Sequence, residues 1–259
     1  MPVAVLKGVS LHYELSGTDS GPVLILSNSL GVNLAMWDRQ VDALHERFRI
    51  LRYDTRGHGT SSVPSGPYTI DQLGVDVLRL ADALNISKFS FCGLSMGGAT
   101  GQWLGIHAPH RLSRLVLANT SPRFGTLESW NGRIATVEQE GLDAVIPGTL
   151  ERWFAEGFRT TQPETIAATA AMLRTNNVRG YLACCAAIRD ADFRELVEEI
   201  RVPTLVIAGS HDPVSPPADG IFLRDKIGGA QYVELDAAHL SNVEAAAEFN
   251  SSLTGFLGA

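Results

Sequence analysis

Six short runs of apolar and β-branched residues recur along the chain, and most are separated by amphipathic segments of helix length. The runs are "PVLILSN", "FRILRYD", "FSFCGLS", "RLVLANT", "PTLVIAG" and "QYVELD". Strands buried on both faces form near-continuous apolar runs, and their alternation with helices is typical of a parallel sheet. The pattern predicts an α/β fold class with a mostly parallel, doubly wound sheet flanked by helices. Two further short strands are expected in "MPVAVLKGVSLHYELSG".

The alternation of strand and helix breaks between residue 119 and about residue 190. This stretch has several helical patterns, no convincing strand and two tryptophans, Trp130 and Trp153. We predict that residues 121–190 form a helical cap inserted over the active end of the sheet. Residues 1–120 and 191–259 would then form the core.

Composition and charge narrow the class of protein. The chain has 259 residues, of which 45% are hydrophobic and 19% charged, and no run approaches the ~18 consecutive apolar residues of a membrane span. The N-terminal stretch has no secretory leader pattern, so we expect a cytoplasmic location and no membrane as a partner. A net charge of −7 argues against nucleic acid as a partner. The sequence gives no indication of the oligomeric state.

The cysteine positions, and the lack of known metal-binding or phosphate-binding motifs, argue against redox or cofactor chemistry. Cys184 and Cys185 are neighbours, and Cys92 lies within an apolar run, so buried reduced thiols are expected. The sequence has no H-E-x-x-H or C-x-x-C motif, and its glycine-rich stretch lacks the Lys-[Ser/Thr] ending of a phosphate loop. We therefore expect no cofactor and no metal.

The stretch "FSFCGLSMGGAT" ends a strand-like run at Ser95, with glycines two residues to either side. The pattern G-x-S-x-G is typical of a strand-to-helix turn in which the serine backbone is strained and the hydroxyl is exposed above the sheet. Such a turn needs a buried strand before it and a helix after it. "KFSFCG" and "MGGATGQWLGIHAP" have these characters, so Ser95 is the candidate nucleophile.

A serine hydroxyl needs a histidine as its base, and the chain order for this turn is Ser, then Asp or Glu, then His. The histidines after Ser95 are His107, His110, His211 and His239. The first two lie in or at the end of the helix after the turn. His211 is beside Asp212 on a strand-end loop, with little chain between the two for an acid element. His239, directly after the last strand, is the predicted base.

The acid is expected at the carboxyl tip of a strand, where catalytic groups gather in open α/β sheets. Asp212 follows the run "PTLVIAG" at this place. Asp236 is the alternative, but it lies three residues from His239 and its side chain would not easily reach back to the ring. An ordinary turn-forming aspartate before Pro213 is the structural alternative for Asp212.

Acyl transfer also needs donors for the oxyanion, and one is the backbone N–H after the nucleophile, here that of Met96. The second is expected in the loop after "PVLILSN", where Leu30 N–H is the candidate and Gly31 allows a tight turn. A plain glycine turn with no catalytic role is the alternative.

These motifs together resemble the α/β-hydrolase family over essentially the whole chain. "YDTRGHGTSS" is similar to the family's D-x-R-G-x-G-x-S turn, in which the positions of Asp54, Arg56 and His58 are structural more often than catalytic. Most members have His-Gly before the oxyanion residue, whereas this chain has "NSLG". That departure, with "MW" downstream and "GLSMGG", resembles the 3-oxoadipate enol-lactonases of bacterial aromatic catabolism.

The resemblance implies hydrolysis of 3-oxoadipate enol-lactone through an acyl-enzyme on Ser95, without a cofactor. A broad-specificity carboxylesterase or a cofactor-free perhydrolase resembling the haloperoxidases would use the same triad. A ligand receptor on a hydrolase scaffold is a third reading, because such receptors can retain all three residues. A dehalogenase or epoxide hydrolase is disfavoured, since Ser95 occupies the position of their aspartate.

The implied substrate is a small lactone that carries a carboxylate, and burying that charge requires a cation. Arg133 is the first candidate because it follows Trp130 by about one helical turn. Arg152, beside Trp153, is the second. Arg133, Trp130 and Trp153 are the predicted substrate-binding residues of the cap.

Overall fold

The computed structural model describes residues 2–258, and within them eight strands form one sheet in the order β1-β2-β4-β3-β5-β6-β7-β8. The strands are β1 Val3–Leu6, β2 Val9–Gly17, β3 Val23–Ser27, β4 Arg49–Tyr53, β5 Phe89–Leu94, β6 Leu112–Ala118, β7 Thr204–Gly209 and β8 Gln231–Leu235. Strand β2 pairs antiparallel with β1 and β4, and β4, β3, β5, β6, β7 and β8 pair in parallel. The predicted fold class is confirmed.

Alternating side chains of the central strands enter two separate apolar layers, because successive residues of a strand face opposite sides. Leu24 and Leu26 pack in one layer, and Ile25 between them packs in the other. This two-sided burial explains why the strand runs in the sequence are almost uninterrupted by polar residues.

Helices of the described chain cover both faces. They are α1 Asp38–Leu44, α2 Ile70–Ala83, α3 Met96–His107, α4 Leu127–Glu140, α5 Ile146–Trp153, α6 Glu156–Thr161, α7 Pro163–Arg174, α8 Val178–Asp190, α9 Pro217–Lys226, α10 Ser241–Glu244 and α11 Ala246–Leu257. Helices α2, α3 and α9 bury side chains in the layer that contains Ile25, and α1 and α11 in the layer that contains Leu24. Short 3-10 helices span Leu34–Trp37, Pro109–Arg111, Leu142–Ala144 and Val197–Glu199.

The amphipathic segment "YTIDQLGVDVLRLADALN" forms α2, with Thr69 as its N-cap. The Thr69 hydroxyl accepts a hydrogen bond from Gln72 N–H, and Gln72 Oε1 accepts one from Thr69 N–H. These reciprocal bonds satisfy backbone groups that a helix start leaves free. The apolar face, with Leu73, Val77 and Leu80, is buried.

Helices α4 to α8 follow β6, and the described chain has no strand between residues 119 and 203. These helices lie in the segment predicted to be the cap. Its boundaries at residues 121 and 190 stay a prediction. None of the helices in residues 2–258 is long and apolar enough to span a membrane.

Candidate active site

Ser95 stands between the last residue of β5, Leu94, and the first of α3, Met96, with φ of 58° and ψ of −113°. The glycines beside it are required by close approach. A Cβ on Gly93 would lie 2.0 Å from Gly97 O, and one on Gly97 would lie 2.2 Å from Ser27 O. Any side chain at either position would push the strained turn away from the sheet.

His239 lies on the loop after β8, and Asp212 on the loop after β7. The Nδ1 atom of His239 is 2.8 Å from Asp212 Oδ2, and both residues are buried. Because a carboxylate can only accept, Nδ1 carries the proton and Nε2 of the neutral ring is left as the basic nitrogen. The alternative acid, Asp236, instead contacts His211 Nε2 at 2.8 Å on the exposed surface.

Five donors surround the Asp212 carboxylate. Oδ2 accepts from His239 Nδ1, Ser215 Oγ (2.7 Å) and Asn119 Nδ2 (3.0 Å), and Oδ1 accepts from Val214 N (2.8 Å) and Ser215 N (3.1 Å). Burial alone would raise the pKa of Asp212, but its electrostatic and hydrogen-bond interactions with His239, and the side-chain hydrogen bonds from Asn119 and Ser215, lower it below its ordinary value. Asp212 is therefore held ionised.

Two backbone N–H groups near Ser95, those of Leu30 and Met96, have no hydrogen-bond acceptor within residues 2–258. The N–H groups on either side of them are bonded. Ser29 N donates to Met36 Sδ, Gly31 N to His58 Nε2 and Gly97 N to Asn28 O. Buried N–H groups are rarely left unpaired, so the two free ones mark a place for an acceptor from outside the chain.

The turn that holds Leu30 is fixed from two sides. Gly31 N donates to His58 Nε2 at 2.8 Å, and Gly31 O accepts from Asn176 Nδ2 at 2.6 Å. Gly31 has φ of 85°, and a Cβ there would lie 2.6 Å from a methyl carbon of Leu173. The glycine is needed for the turn and for the approach of α7.

Sequence reasoning treated His58 as structural and did not consider Asn119, Ser215 or Asn176. The polar residues directly after the strand run "RLVLANT" were the available signal for Asn119, because side chains at strand ends meet at one edge of the sheet. Nothing in the sequence connects His58 or Asn176 to Gly31, since those contacts join distant parts of the chain.

A cavity of about 560 Å³ lies over the carboxyl edge of the sheet. Ser95, His239 and Leu30 line it from the core. The ring of Trp153 is 6.1 Å from that of His239, centroid to centroid. The predicted cap residues meet at the same cavity: Trp130, Arg133, Arg152 and Trp153 all line it.

Arg133 and Arg152 have no carboxylate partner in the part of the chain that the structure describes. Arg133 Nε donates to the Tyr181 hydroxyl at 2.8 Å, and Nη2 donates to Thr149 Oγ1 at 2.9 Å. Burial and the charge of Arg133 lower the pKa of Arg152. Two cations thus face one cavity, which favours an anionic ligand.

Metal ligation finds no support in the described residues. Within residues 2–258, no three His, Cys, Asp or Glu side chains are grouped so that they could hold a metal ion. The groups available for chemistry at the cavity are the Ser95 hydroxyl, the paired His239 and Asp212, the two free N–H groups and the two arginines.

Comparisons with known proteins show which family and which proteins this chain resembles. A family model described as the α/β hydrolase fold matches residues 22–246. The sequence is 44% identical to 3-oxoadipate enol-lactonase 2 of Acinetobacter baylyi over 247 aligned residues. The alignment covers 95% of this chain and 92% of that protein. The crystal structure of the enol-lactonase from Burkholderia xenovorans LB400 matches with a TM-score of 0.98 and 45% identity, over 100% of both chains. A relative from Agrobacterium fabrum, 31% identical over 258 residues (95% of this chain, 98% of that protein), carries a name that describes a carbamate hydrolase.

Proposed function

The chain belongs to the α/β-hydrolase family, and we propose that it hydrolyses 3-oxoadipate enol-lactone to 3-oxoadipate in the catabolism of aromatic compounds. The observation that carries the proposal is the cavity itself. It joins a serine, histidine and aspartate set to two arginines that have no carboxylate partner within residues 2–258. The identity to named enol-lactonases over nearly the whole chain supports the choice of substrate.

In the acylation step, the Ser95 hydroxyl attacks the ring ester carbonyl while His239 Nε2 takes its proton. Asp212 keeps Nδ1 protonated through the 2.8 Å contact and stabilises the imidazolium that forms. The carbonyl oxygen becomes negative and is held by Leu30 N–H and Met96 N–H. Neither group has an acceptor within residues 2–258, so no hydrogen bond to that part of the chain has to break before the oxyanion forms.

Collapse of the tetrahedral intermediate breaks the bond between the acyl carbon and the ring oxygen. The ring oxygen leaves as an enol after it receives the proton from His239, and the enol becomes the ketone of 3-oxoadipate. An enol departs readily, so general-acid help is needed less than in amide hydrolysis. Water, deprotonated by His239, then attacks the acyl carbon and releases Ser95.

The acetate arm of the lactone is assigned to the cap arginines. A buried carboxylate loses its hydration and needs a cation that stays charged, and the guanidinium fork can bind both oxygens. Arg133 is held in place by Tyr181 and Thr149, so it loses little freedom on binding. Arg152 lines the same cavity without a hydrogen-bond partner within residues 2–258 and supplies the second charge.

The test compares the loss of the enol-lactone's ultraviolet absorbance with the hydrolysis of a neutral aryl ester. Arg133→Met and Arg152→Met should lower kcat/KM for the lactone by about 10- to 150-fold, since a charge-assisted bond contributes roughly 1.5–3 kcal/mol. Hydrolysis of the aryl ester should change little. Arg179→Met, an exposed cap arginine, is the matched control.

The outcomes separate the competing functions. If neither variant distinguishes the two substrates, the cap holds no carboxylate clamp. Turnover of the aryl ester without the lactone would indicate a general carboxylesterase, and preference for an aryl carbamate would favour the activity in the name of the Agrobacterium relative. Binding of the lactone without turnover would favour a receptor.

A further inference from the structure

Asn119, directly after β6, is one of three residues other than glycine with positive φ within residues 2–258. Its φ is 43°, and its side chain is buried. The other two are Ser95, the proposed nucleophile, and Asn85, which is exposed at the end of α2. A strained backbone in the interior persists only where its surroundings hold it, and such residues cluster at functional sites.

The amide of Asn119 touches both loops that carry the proposed acid and base. Nδ2 donates to Asp212 Oδ2 at 3.0 Å and to Ala238 O at 3.2 Å. Oδ1 accepts from Ser241 Oγ at 2.5 Å. Because the Asp212 carboxylate and the Ala238 carbonyl can only accept, the orientation of the amide is determined by its partners.

The backbone of Asn119 is tied to the same region of the sheet. Its N–H donates to Ile207 O in β7 at 2.8 Å. The backbone of Asn119 therefore connects the end of β6 to β7, and its side chain contacts the loop after β8. Ala238, one of its acceptors, immediately precedes His239.

We propose that Asn119 is a positioning residue that holds the Asp212 carboxylate and the His239 loop at a fixed separation, so that the Asp212–His239 hydrogen bond survives each catalytic cycle. The inference rests on the triad of the proposed function. A neutral amide suits this task because it donates to the carboxylate without adding a charge that would compete with the imidazolium. The left-handed backbone is what brings the short side chain between the two loops.

The test uses Asn119→Ala and Asn119→Gly, with Asn85→Ala as the matched control. Asn85 has φ of 55°, so the control introduces the same backbone strain on the exposed surface. We expect kcat for a neutral aryl ester to fall about 10- to 100-fold in both Asn119 variants, with KM unchanged, because a misplaced base slows only the chemical steps. Glycine tolerates positive φ, so Asn119→Gly separates loss of the amide from strain.

The pH profile supplies a reading that a purely structural role would not change. Without the Asn119 donor, the Asp212 carboxylate is more basic and stabilises the neighbouring imidazolium more strongly. The acid limb of kcat/KM should then move to higher pH, by about 0.5 to 1 unit. The other titratable groups that act on or respond to Asp212 are His239, on the loop after β8, and Asp219, on α9, and both are unchanged in the variants.

Inactivation by a fluorophosphonate, which esterifies the serine with loss of fluoride, reports on the triad without the lactone. It should slow in parallel with kcat. If Asn119→Ala and Asn119→Gly keep the wild-type kcat and acid limb while stability falls as in Asn85→Ala, the inference is overturned. It also falls if wild-type protein does not react with the fluorophosphonate. If the wild type reacts but leaves the lactone intact, only the substrate proposal fails, and the Asn119 comparison stands on the aryl ester.

Discussion

At the scale of single residues, the turn at Ser95 depends on two glycines that bring backbone segments into close contact. The spacing of Gly93 and Gly97 around Ser95 follows from contacts within one turn and with the adjacent β3, so a five-residue pattern predicts it. The assignments of His239 and Asp212 used chain order, and the structure brings these two side chains to 2.8 Å. Their catalytic roles stay predictions.

The first prediction at this scale concerns the triad. Ser95→Ala, Asp212→Asn and His239→Ala should each lower kcat by roughly four to six orders of magnitude without unfolding the protein. Because the three groups act as a unit, the double variant Ser95→Ala, His239→Ala should be hardly worse than Ser95→Ala alone. Steady-state kinetics and circular dichroism measure both effects.

The matched control for the acid is Asp236→Asn, the same substitution in the exposed pair with His211. It should leave kcat unchanged. Additive losses in the double variant would contradict the shared role, and activity that survives Asp212→Asn but not Asp236→Asn would show that the acid is misassigned.

The residues that sequence reasoning missed share a physical cause. Asn119 and Asn176 make contacts with residues far along the chain, Asn119 with Asp212 and Asn176 with Gly31. Their residue types are common in turns, so no local spacing distinguishes a supporting role from an ordinary one. Only the arrangement of the strand ends makes them neighbours.

Whole elements were easier to predict than such contacts. The six strand runs became β3 to β8. The central strands β3, β5 and β7 are buried almost throughout, which leaves a continuous apolar signature, whereas β8 is largely exposed or half-buried. The helices of the cap were recognised as helical, but their mutual packing depends on side-chain shapes that periodicity does not encode. The type and order of the elements could therefore be predicted from the sequence, but the full set of residues that line the cavity could not.

The predicted cap is joined to the core by hydrogen bonds at two places near the candidate active site. Asn176, in the turn between α7 and α8, donates to Gly31 O in the turn that holds Leu30, the proposed oxyanion turn. At the second place, the Glu244 carboxylate accepts from Ala155 N, directly before α6, and from Ala238 N beside His239. Displacement of helices α4 to α8 would therefore disturb the turn at Gly31 and the loop at His239 as well as the cavity.

The prediction at the scale of elements tests the joint at Gly31 with two adjacent asparagines. Asn176→Ala should lower kcat by about 10-fold for both the lactone and an aryl ester, because the turn that presents Leu30 N–H loosens. Asn177→Ala removes the N-cap of α8 and should decrease the free energy of unfolding by about 1 kcal/mol. Its kcat should stay at the wild-type value.

Thermal unfolding and kinetics on the same samples separate these effects. Asn176 also donates to Met172 O and Leu173 O at the end of α7, so some loss of stability is expected in this variant too. Equal kcat in the two variants would contradict the proposed link between the cap and the oxyanion turn.

At the scale of the whole molecule, His58 occupies the place where the sheet, the oxyanion turn and the cap meet. It follows β4, its Nε2 accepts from Gly31 N, and its Nδ1 lies 3.4 Å from Arg56 O and 3.8 Å from Cys184 Sγ in α8. Nδ1 must therefore carry the proton, and Nε2 must be free of one. The three elements stay joined only while this ring is neutral.

Burial lowers the pKa of His58 from its ordinary 6.5 to about 4, and the last prediction follows from this shift. The unfolded chain binds a proton near pH 6.5, whereas the folded protein resists it until about pH 4. Stability from this group is complete above pH 6.5 and is lost as pH falls towards 4, by about 3 kcal/mol in total. Urea unfolding at pH 7, 5.5 and 4.5 measures this loss.

In His58→Gln the amide can still accept from Gly31 N–H but does not titrate, so the difference in unfolding free energy between wild type and variant should shrink or reverse as pH falls. Asp219 and Glu244, whose pKa values burial raises, are present in both proteins and cancel in that difference. Parallel curves for the two proteins would mean that His58 is not the buried neutral group that joins the three elements.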